Sequence, residues 1–209
     1  NGLWGLKSDG FFNSQEEIDA APEQTFGEVK PGDIKYVDMN NDGKIDDTDR
    51  VFLGRWDTPF RMGLNLTAKW KNFTFFAMGN LWLGGHGMKD NSYWWVRGSG
   101  KYSEVVRNAW TPETAATATY PRLTTTNGDN NFRSSDFWMY STDRFNLSRV
   151  QISYALPSNL FEGTFVRGID VYVGGSNLLT IAKERKILET NIGGAPQMRS
   201  YNIGFRASF

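Results

Sequence analysis

The strongest constraint on this chain is a strict alternation of apolar and polar side chains over long segments. Between Phe60 and Trp70 every second side chain is apolar, and the positions between them are Arg, Gly, Asn, Thr and Lys. Residues 73–83 return after a two-residue turn with a second apolar series. A period of two is the pattern of a β-strand with one apolar face, so the sequence predicts an all-β fold.

The alternating segments are unusually long. Others cover residues 145–156, 168–180 and 198–209, and a weaker one opens the chain at about residues 2–12, so the sequence predicts six strands. Strands of globular proteins are usually about five or six residues long, whereas a tilted strand needs about nine to eleven residues to cross a bilayer. Strand length and the aromatic strand ends favour a transmembrane antiparallel β-barrel segment whose apolar face meets lipid.

Composition excludes several other classes of protein. The 23 basic and 23 acidic residues give no net charge, which argues against nucleic-acid binding through counterion release. The absence of cysteine rules out disulfides, thiol catalysis and zinc ribbons. His86 is the only histidine, and neither a Ser-His-Asp triad nor a pair of catalytic carboxylates is indicated. The sequence therefore predicts a protein that is not an enzyme.

The connections between the predicted strands alternate in length. Residues 13–58 and 85–144 are long, whereas residues 71–72 and about 157–167 are short. Bacterial outer-membrane barrels have short periplasmic turns and longer extracellular loops. We therefore predict that the two long connections lie outside the cell.

Each long connection is predicted to contain a short helix. Ser14 and Glu17 have the spacing of a capping box, in which the serine caps the helix and the glutamate reaches back to the backbone. Residues 102–110 are predicted to form a second helix, which ends before Pro112.

The acidic segment 38–49 has the pattern of a twelve-residue calcium-binding loop. Oxygen ligands are expected at positions 1, 3 and 5, glycine at position 6 allows a sharp turn, and position 7 contributes its carbonyl. Position 9 can act through water, and position 12 closes the site. Residues 13–58 hold 12 acidic and 5 basic residues, so a cation would relieve repulsion among the carboxylates. The predicted ligands of calcium, or a similar hard divalent cation, are Asp38, Asn40, Asp42, Lys44 through its carbonyl, Asp46 and Asp49.

Details of this loop indicate a structural role. Asp49 at position 12 resembles dockerin-type loops more than sensor EF-hands, because its shorter side chain coordinates less fully. A single loop of this kind favours a structural clamp over a switch. Ile45 at position 8 is expected to pack inward and anchor the loop. The alternative interpretation is a polar turn that has the same spacing and binds no metal.

Several runs of residues, found in a fixed order, point to one family. They are the run Pro31–Tyr36 before the acidic loop, Arg50–Gly54 and Pro59-Phe60 after it, Arg144–Pro157, Asn177–Thr180, and Arg199–Phe209 at the end. Together they resemble the SusC/RagA family of TonB-dependent outer-membrane transporters. A terminal phenylalanine after alternating apolar residues also resembles the general assembly signal of outer-membrane proteins.

The resemblance implies that residues 1–209 are the C-terminal part of a 22-stranded barrel and contribute about six of its strands. It implies import of oligosaccharides or peptides, with a SusD-like surface lipoprotein as an extracellular lid. It also implies that TonB acts through a plug domain absent from this chain. The remaining barrel strands would complete the wall, because an open sheet edge cannot face outer-membrane lipid. The implied location is the bacterial outer membrane.

Three aromatic residues in the second long connection, Tyr93, Trp94 and Trp95, are candidate substrate-binding residues. Sugar rings stack on aromatic side chains, so these residues could contact a glycan. Packing within the loop, or contact with the lid, is the alternative interpretation. For the whole chain, the alternative is a soluble secreted β-sandwich that binds glycans and is stabilised by calcium.

Overall fold

The chain forms two compact units. The computed structural model describes residues 1–98, 100, 103–126 and 128–209. The loop unit comprises residues 1–57 and 86–140, and the sheet unit comprises residues 58–85 and 141–209. Within the described residues, no helix is long and apolar enough to span a membrane.

Strands dominate the part of the chain that the structure describes. In chain order they are β1 (Gly2–Gly5), β2 (Ser8–Phe11), β3 (Glu23–Gln24), β4 (Ile34–Tyr36), β5 (Lys44–Ile45), β6 (Val51–Arg55), β7 (Phe60–Trp70), β8 (Phe73–Leu83), β9 (His86–Met88), β10 (Met139–Ser141), β11 (Arg144–Ala155), β12 (Gly168–Ile181) and β13 (Ser200–Ser208). The α-helices are α1 (Gln15–Asp19) and α2 (Arg185–Thr190), and 3-10 helices cover Asp47–Asp49, Glu104–Asn108, Asp136–Trp138 and Ser158–Phe161.

The sheet unit is one antiparallel sheet of five strands in the order β13-β12-β11-β8-β7. All five strands lie where the alternating pattern predicts them. β11 has 12 residues and β12 has 14, which is about twice the length of a typical globular strand. Among the residues that the structure describes, neither β7 nor β13 has a strand along its outer edge.

The strand registers bring the apolar positions of all five strands onto one face of the sheet. One row across this face consists of Ala68, Phe75, Ile152, Val173 and Ile203. The next row, on the other face, consists of Lys69, Thr74, Ser153, Tyr172 and Gly204. Val173 and Ile203 are 53% and 85% exposed, so the apolar face is open rather than packed into a core.

A β-bulge keeps β11 in phase with its neighbours. Leu147 and Arg149 occupy successive register positions opposite β8, so Ser148 is an extra residue between them. A single extra residue moves every later side chain to the other face. If Ser148 were instead an ordinary residue of the strand, Arg149 would lie on the apolar face with Leu147. The hydroxyl of Ser148 accepts a hydrogen bond of 2.6 Å from the amide of Asn80.

The prediction of a sixth strand in the same sheet is wrong. Residues 2–12 form β1 and β2, which pair with β6 and β4 inside the loop unit. The alternation fails because the consecutive residues Gly5 and Leu6 are both buried. A Cβ at Gly5 would lie 2.4 Å from the carbonyl oxygen of Ser134, and the Leu6 N–H donates to that same oxygen at 2.9 Å. The described sheet therefore contains five strands.

The predicted serine cap is present at the start of α1, and Glu17 reaches back to Asn13 rather than to Ser14 itself. Ser14 Oγ accepts a hydrogen bond of 3.2 Å from the Glu17 N–H. The Glu17 carboxylate accepts from the N–H of Asn13 at 2.8 Å, and this bond holds the pKa of Glu17 below its ordinary value. The second predicted helix is a 3-10 helix over Glu104–Asn108. Tyr102, where the sequence predicts its start, lies outside the described residues.

The loop unit has its own hydrophobic core, built from both of its chain segments. Trp138 is 2% exposed, and its ring contacts the rings of Trp95, Tyr120 and Phe132. Its indole N–H donates to the carbonyl of Asn131 at 2.8 Å, which satisfies the polar group of this buried side chain. The buried core residues are Leu3, Leu6, Ile34, Tyr36, Ile45, Met88, Tyr120, Phe132 and Trp138.

Truncation of a core leucine should loosen the whole loop unit. We expect Leu6→Ala, at a side chain that is 1% exposed, to cost about 2 to 5 kcal/mol of local stability because it leaves a cavity. Leu123→Ala, at a side chain that is 40% exposed, should cost about 1 kcal/mol or less. Hydrogen exchange of the natural protein in detergent measures both, and equal loss of protection would contradict this core.

Candidate functional sites in the loop unit

The acidic loop 38–49 has the backbone turn that the calcium-type pattern predicts. Gly43 at position 6 has φ +85°, a left-handed conformation that glycine adopts without strain. The next two residues form β5, which pairs in parallel with β3. Ile45 at position 8 is 1% exposed and belongs to the core. The prediction that this residue anchors the loop is confirmed.

The first three predicted side-chain ligands hold the backbone of the loop. Asp38 accepts a hydrogen bond of 2.9 Å from the N–H of Gly43. Asn40 Oδ1 accepts from the N–H of Asp42 at 2.9 Å, and Asp42 Oδ1 accepts from the N–H of Lys44 at 2.9 Å. Such bonds between a short polar side chain and the backbone two residues on are Asx turns. They fold the segment tightly while Asn40 and Asp42 stay exposed.

The last predicted ligand, Asp49, is fully buried. Its Oδ1 accepts from the N–H of Met39 at 2.8 Å, and its Oδ2 accepts from the N–H of Asp46 at 2.9 Å. Asp46 accepts in turn from the hydroxyl and the N–H of Thr48. These two bonds hold the pKa of Asp46 below its ordinary value. Asp46 and Asp49 therefore form a capping box around the 3-10 turn.

The donor chemistry of the loop fits a hard divalent cation. Every predicted side-chain ligand offers oxygen, and calcium takes carboxylate, amide and carbonyl oxygens. Within the described residues, however, no three side chains of Asp, Glu, His or Cys are grouped so as to hold a metal ion. The carboxylates face N–H groups of the loop instead. The calcium site, including its ligand from the Lys44 carbonyl, stays a prediction.

Two of the three candidate substrate-binding aromatics, Trp94 and Trp95, pack against the core of the loop unit. The rings of Tyr93 and Trp94 meet edge to face with centroids 5.1 Å apart, and Lys89 Nζ lies 5.3 Å from the Trp94 ring centroid. Trp95 packs edge to face on Trp138 with centroids 6.2 Å apart. All three side chains are half-buried. Packing within the loop is thus present, and stacking on a sugar stays a prediction.

A buried hydrogen-bond network joins the two chain segments of the loop unit. Gln24 Nε2 donates to Asn130 Oδ1 at 2.6 Å and to the Ile34 carbonyl at 3.1 Å. Gln24 Oε1 accepts from the N–H of Tyr36 at 2.7 Å. Since β3 contains Gln24 and also pairs with β5 of the acidic loop, this residue connects the acidic loop to the second segment.

A buried ion pair lies beside this network. Asp33 is 0% exposed, and its Oδ1 lies 2.7 Å from Arg122 Nε while its Oδ2 accepts from Nη2 at 3.2 Å. Asn131 Nδ2 also donates to Asp33 Oδ1 at 2.7 Å. The sequence analysis missed these residues, because partners so far apart in the chain leave no local pattern.

Two buried tyrosines complete the polar framework. Tyr36 donates its hydroxyl to the Asn130 carbonyl at 2.9 Å. Tyr120 donates to the Trp94 carbonyl at 2.8 Å and accepts from the Val96 N–H at 3.2 Å. Burial raises the pKa of both phenols above the ordinary value. Both hydroxyls therefore remain donors across physiological pH.

A cleft of about 600 Å³ opens next to the ion pair. It is lined by residues 26–28 and 122–126, and by Lys30 and Asp33. Among the described residues, the buried side chains at its wall, including Asn130 and Asn131, already bond other protein groups. The cleft is therefore a mixed polar and apolar surface that specifies no ligand by an unpaired buried group.

Comparison with known proteins places the chain in a family. No family model matches it. Two curated relatives are TonB-dependent receptors of Formosa agariphila. TonB-dependent receptor P26 is 32% identical over 180 residues, which are 84% of this chain and 18% of that receptor. TonB-dependent receptor P3 is 24% identical over 200 residues, which are 88% of this chain and 20% of that receptor.

Solved structures with the same fold include those of RagAB. The RagAB peptide transporter has a TM-score of 0.75 at 19% identity and covers 100% of this chain and 22% of its own. The RagAB peptide importer in the open-open state has a TM-score of 0.70 at 20% identity and covers 99% of this chain and 22% of its own. The chain belongs to the TonB-dependent receptors. Its fold is that of RagAB. The chain spans about a fifth of the length of the curated relatives.

Membership of this family confirms two of the sequence predictions. The sequence landmarks indicate a TonB-dependent outer-membrane protein, and the curated relatives are TonB-dependent receptors. TonB-dependent receptors are outer-membrane proteins, so the predicted location in the bacterial outer membrane is also confirmed. The strand-rich fold agrees with the RagAB chains, and the proteins compared are named as receptors, importers or transporters.

Removal of the buried carboxylate should disrupt the junction between the two segments. Asp33→Asn leaves the Arg122 guanidinium without its counter-charge, and we expect a loss of about 3 kcal/mol of local stability. The matched control is Asp129→Asn, whose ion pair with Arg97 is half-exposed and should contribute about 1 kcal/mol or less. Hydrogen exchange over residues 120–138 reports the difference. Equal protection in the two variants would show that the Asp33 pair is not structural.

Proposed function

We propose that the five-stranded sheet is part of the wall of a SusC-like transporter barrel that imports oligosaccharides or peptides across the outer membrane. The observation that carries this proposal is the continuous apolar face of the sheet. Its side chains are exposed along β7, β12 and β13, and five strands contribute to it in register. A soluble protein rarely exposes so large an apolar patch, whereas the outer surface of a barrel wall must be apolar where it meets lipid.

The length of the strands supports a membrane-spanning wall. β7 has 11 residues, which correspond to roughly 37 Å at about 3.4 Å per residue. A strand tilted by about 45° then rises about 25 Å, which equals the height of the apolar band of outer-membrane barrels. The long connections all leave the sheet at the end where β8 and β12 finish. By the layout of bacterial barrels this is the extracellular end.

The edges of the sheet indicate that other strands complete the wall. β7 and β13 present unpaired backbone groups along their outer edges in the described chain, and lipid cannot hydrogen-bond them. We propose that these edges pair with the remaining strands of a 22-stranded barrel. In such a protein a plug domain couples to TonB, and the loop unit faces a SusD-like lipoprotein on the cell surface.

The cargo would pass the loop unit. RagAB, which shares the fold, is named a peptide importer and transporter, and oligosaccharides are the other cargo class that the family resemblance implies. The half-buried rings of Trp94 and Trp95 pack against the core, and the Tyr93 ring packs on Trp94. The outer edges of these rings would contact a sugar or a peptide side chain. The contact would bind the cargo without changing it chemically.

A charge on the apolar face should block assembly in the membrane. We expect Leu66→Arg to reduce the outer-membrane level of the natural protein strongly, because an arginine near mid-bilayer costs about 2 to 4 kcal/mol. Thr67→Arg, one residue further on the polar face, is the matched control and should be tolerated. Membrane fractionation with heat-modifiability measures folded barrel. Equal levels for both variants, with protein in the soluble fraction, would instead favour the alternative of a soluble secreted β-sandwich that binds glycans and is stabilised by calcium.

We also propose that the acidic loop binds calcium as a structural clamp. Asp38, Asn40, Asp42, Asp46 and Asp49, with the Lys44 carbonyl, would hold the ion. When bound, it would neutralise part of the negative charge of residues 13–58. The residues themselves already shape the turn through Gly43 and the buried Ile45, so the metal would rigidify a loop that is folded in outline.

Chelation tests the clamp. We expect removal of calcium by EGTA to raise proteolysis and hydrogen exchange over residues 30–58, because the carboxylates then repel one another. Asp42→Asn should weaken calcium binding about tenfold or more, since it removes one ligand charge. Asp47→Asn is the control, because that carboxylate pairs with Arg50 and is not a predicted ligand. Unchanged exchange after chelation would leave the loop as a metal-free polar turn.

A further inference from the structure

The connection between β12 and β13 carries a cluster of exposed cations. It contains four basic residues and two acidic ones over residues 182–199. All four basic side chains are exposed, whereas both glutamates are half-buried. The sheet unit as a whole holds 11 basic and 5 acidic residues, so its positive charge adds to that of the connection. The basic residues are Lys183, Arg185, Lys186 and Arg199.

The connection is folded rather than loose. Arg185 Nε lies 3.0 Å from Glu189 Oε2, and Arg199 Nη2 lies 3.8 Å from Glu189 Oε1. The N–H of Gln197 donates to the Glu189 carbonyl at 2.9 Å, which ties the return segment to α2. Asn177 of β12 donates its side-chain amide to the Met198 carbonyl at 3.2 Å. Glu189 thus holds two guanidinium groups near each other.

This cationic connection adjoins the end of the apolar face. Ile181, the last residue of β12, lies opposite Phe145 in the register and is 59% exposed. Tyr201, near the start of β13, is 76% exposed and lies opposite Gly175. The exposed Met198 lies next to Arg199 in the chain. Positive charge therefore begins where the apolar surface stops, at the end of the sheet with the long connections.

We infer that this connection binds the phosphate groups of an anionic lipid in the membrane leaflet that meets the long connections. In such a lipid an apolar chain is followed by a phosphate head. The chain would lie along the apolar strand end, and the head would meet the cationic connection. Guanidinium groups bind phosphate oxygens in a planar fork, and lysines add point charge. Each juxtamembrane basic residue adds to the attraction for anionic lipid.

The inference rests on the proposed barrel wall, because it requires the apolar face to lie in lipid. A soluble acidic polypeptide would be the competing occupant, but the continuity with the lipid-facing rows favours lipid. Glu189 is already shared by two arginines. Glu184 is therefore the carboxylate of the connection that would repel a phosphate group.

Lipid retention in defined bilayers tests the inference. The natural protein is reconstituted into nanodiscs of phosphatidylcholine with a small fraction of diphosphoryl lipid A, and native mass spectrometry counts the lipid A retained after detergent exchange. We expect Lys183→Gln to weaken retention about fivefold, which corresponds to the loss of one membrane-facing charge. Glu184→Gln should strengthen it by a similar factor, and this gain cannot result from misfolding.

Two controls decide the outcome. Arg167→Gln removes an exposed cation at the short-turn end of the sheet and should leave retention unchanged. An equal loss with Arg167→Gln would show general electrostatic attraction and overturn the inference. Displacement of lipid A by millimolar inorganic phosphate would also overturn it in favour of free phosphate. If the protein fails to enter nanodiscs at all, the proposed barrel wall fails as well, and the two failures are distinguishable.

Discussion

The antiparallel pairing of β8 with β11 is the interaction on which the sheet unit depends. These strands are separated by the whole second long connection, yet their register runs unbroken apart from the bulge at Ser148. The pairing joins the β7–β8 hairpin to β12 and β13. Because the side-chain period is two, a shift by one residue would mix polar and apolar positions on both faces. One register therefore maintains the continuous apolar face of the sheet.

The loop unit relies on a different principle, the satisfaction of buried polar groups. Gln24, Asp33 and Asn130 lie among apolar core residues. Each has a hydrogen-bond partner in the other chain segment. Such groups are costly to bury alone and specific once paired. They join the two segments at defined positions beside the aromatic packing around Trp138. The pairing of β3 with β5 connects the acidic loop to this network.

The sequence predicts the sheet well, because alternation is a local property of each strand. It fails at residues 2–12, where Gly5 and Leu6 are both buried against the Ser134 region and tertiary contacts outweigh the local pattern. The acidic loop is predicted at the level of its turn and of Ile45, since glycine and apolar positions have fixed consequences there. Whether the predicted calcium ligands converge on one point depends on their side-chain rotamers and on a cation, which the local pattern does not specify. The buried network around Gln24 had no signal at all, because its partners are about a hundred residues apart.

The division of the loop unit has a consequence for the order of folding. Its core combines Leu3 and Ile34 with Trp138, and the β7–β8 hairpin lies between them in the chain. The first segment alone lacks three of the four buried aromatic residues of the core, so it stays incomplete until the hairpin has been made and the second segment follows. Contacts so distant in sequence close slowly. Residues 1–57 must therefore remain a temporarily open, acidic segment while the neighbouring strands assemble, a period in which proteases and chaperones would have access to it.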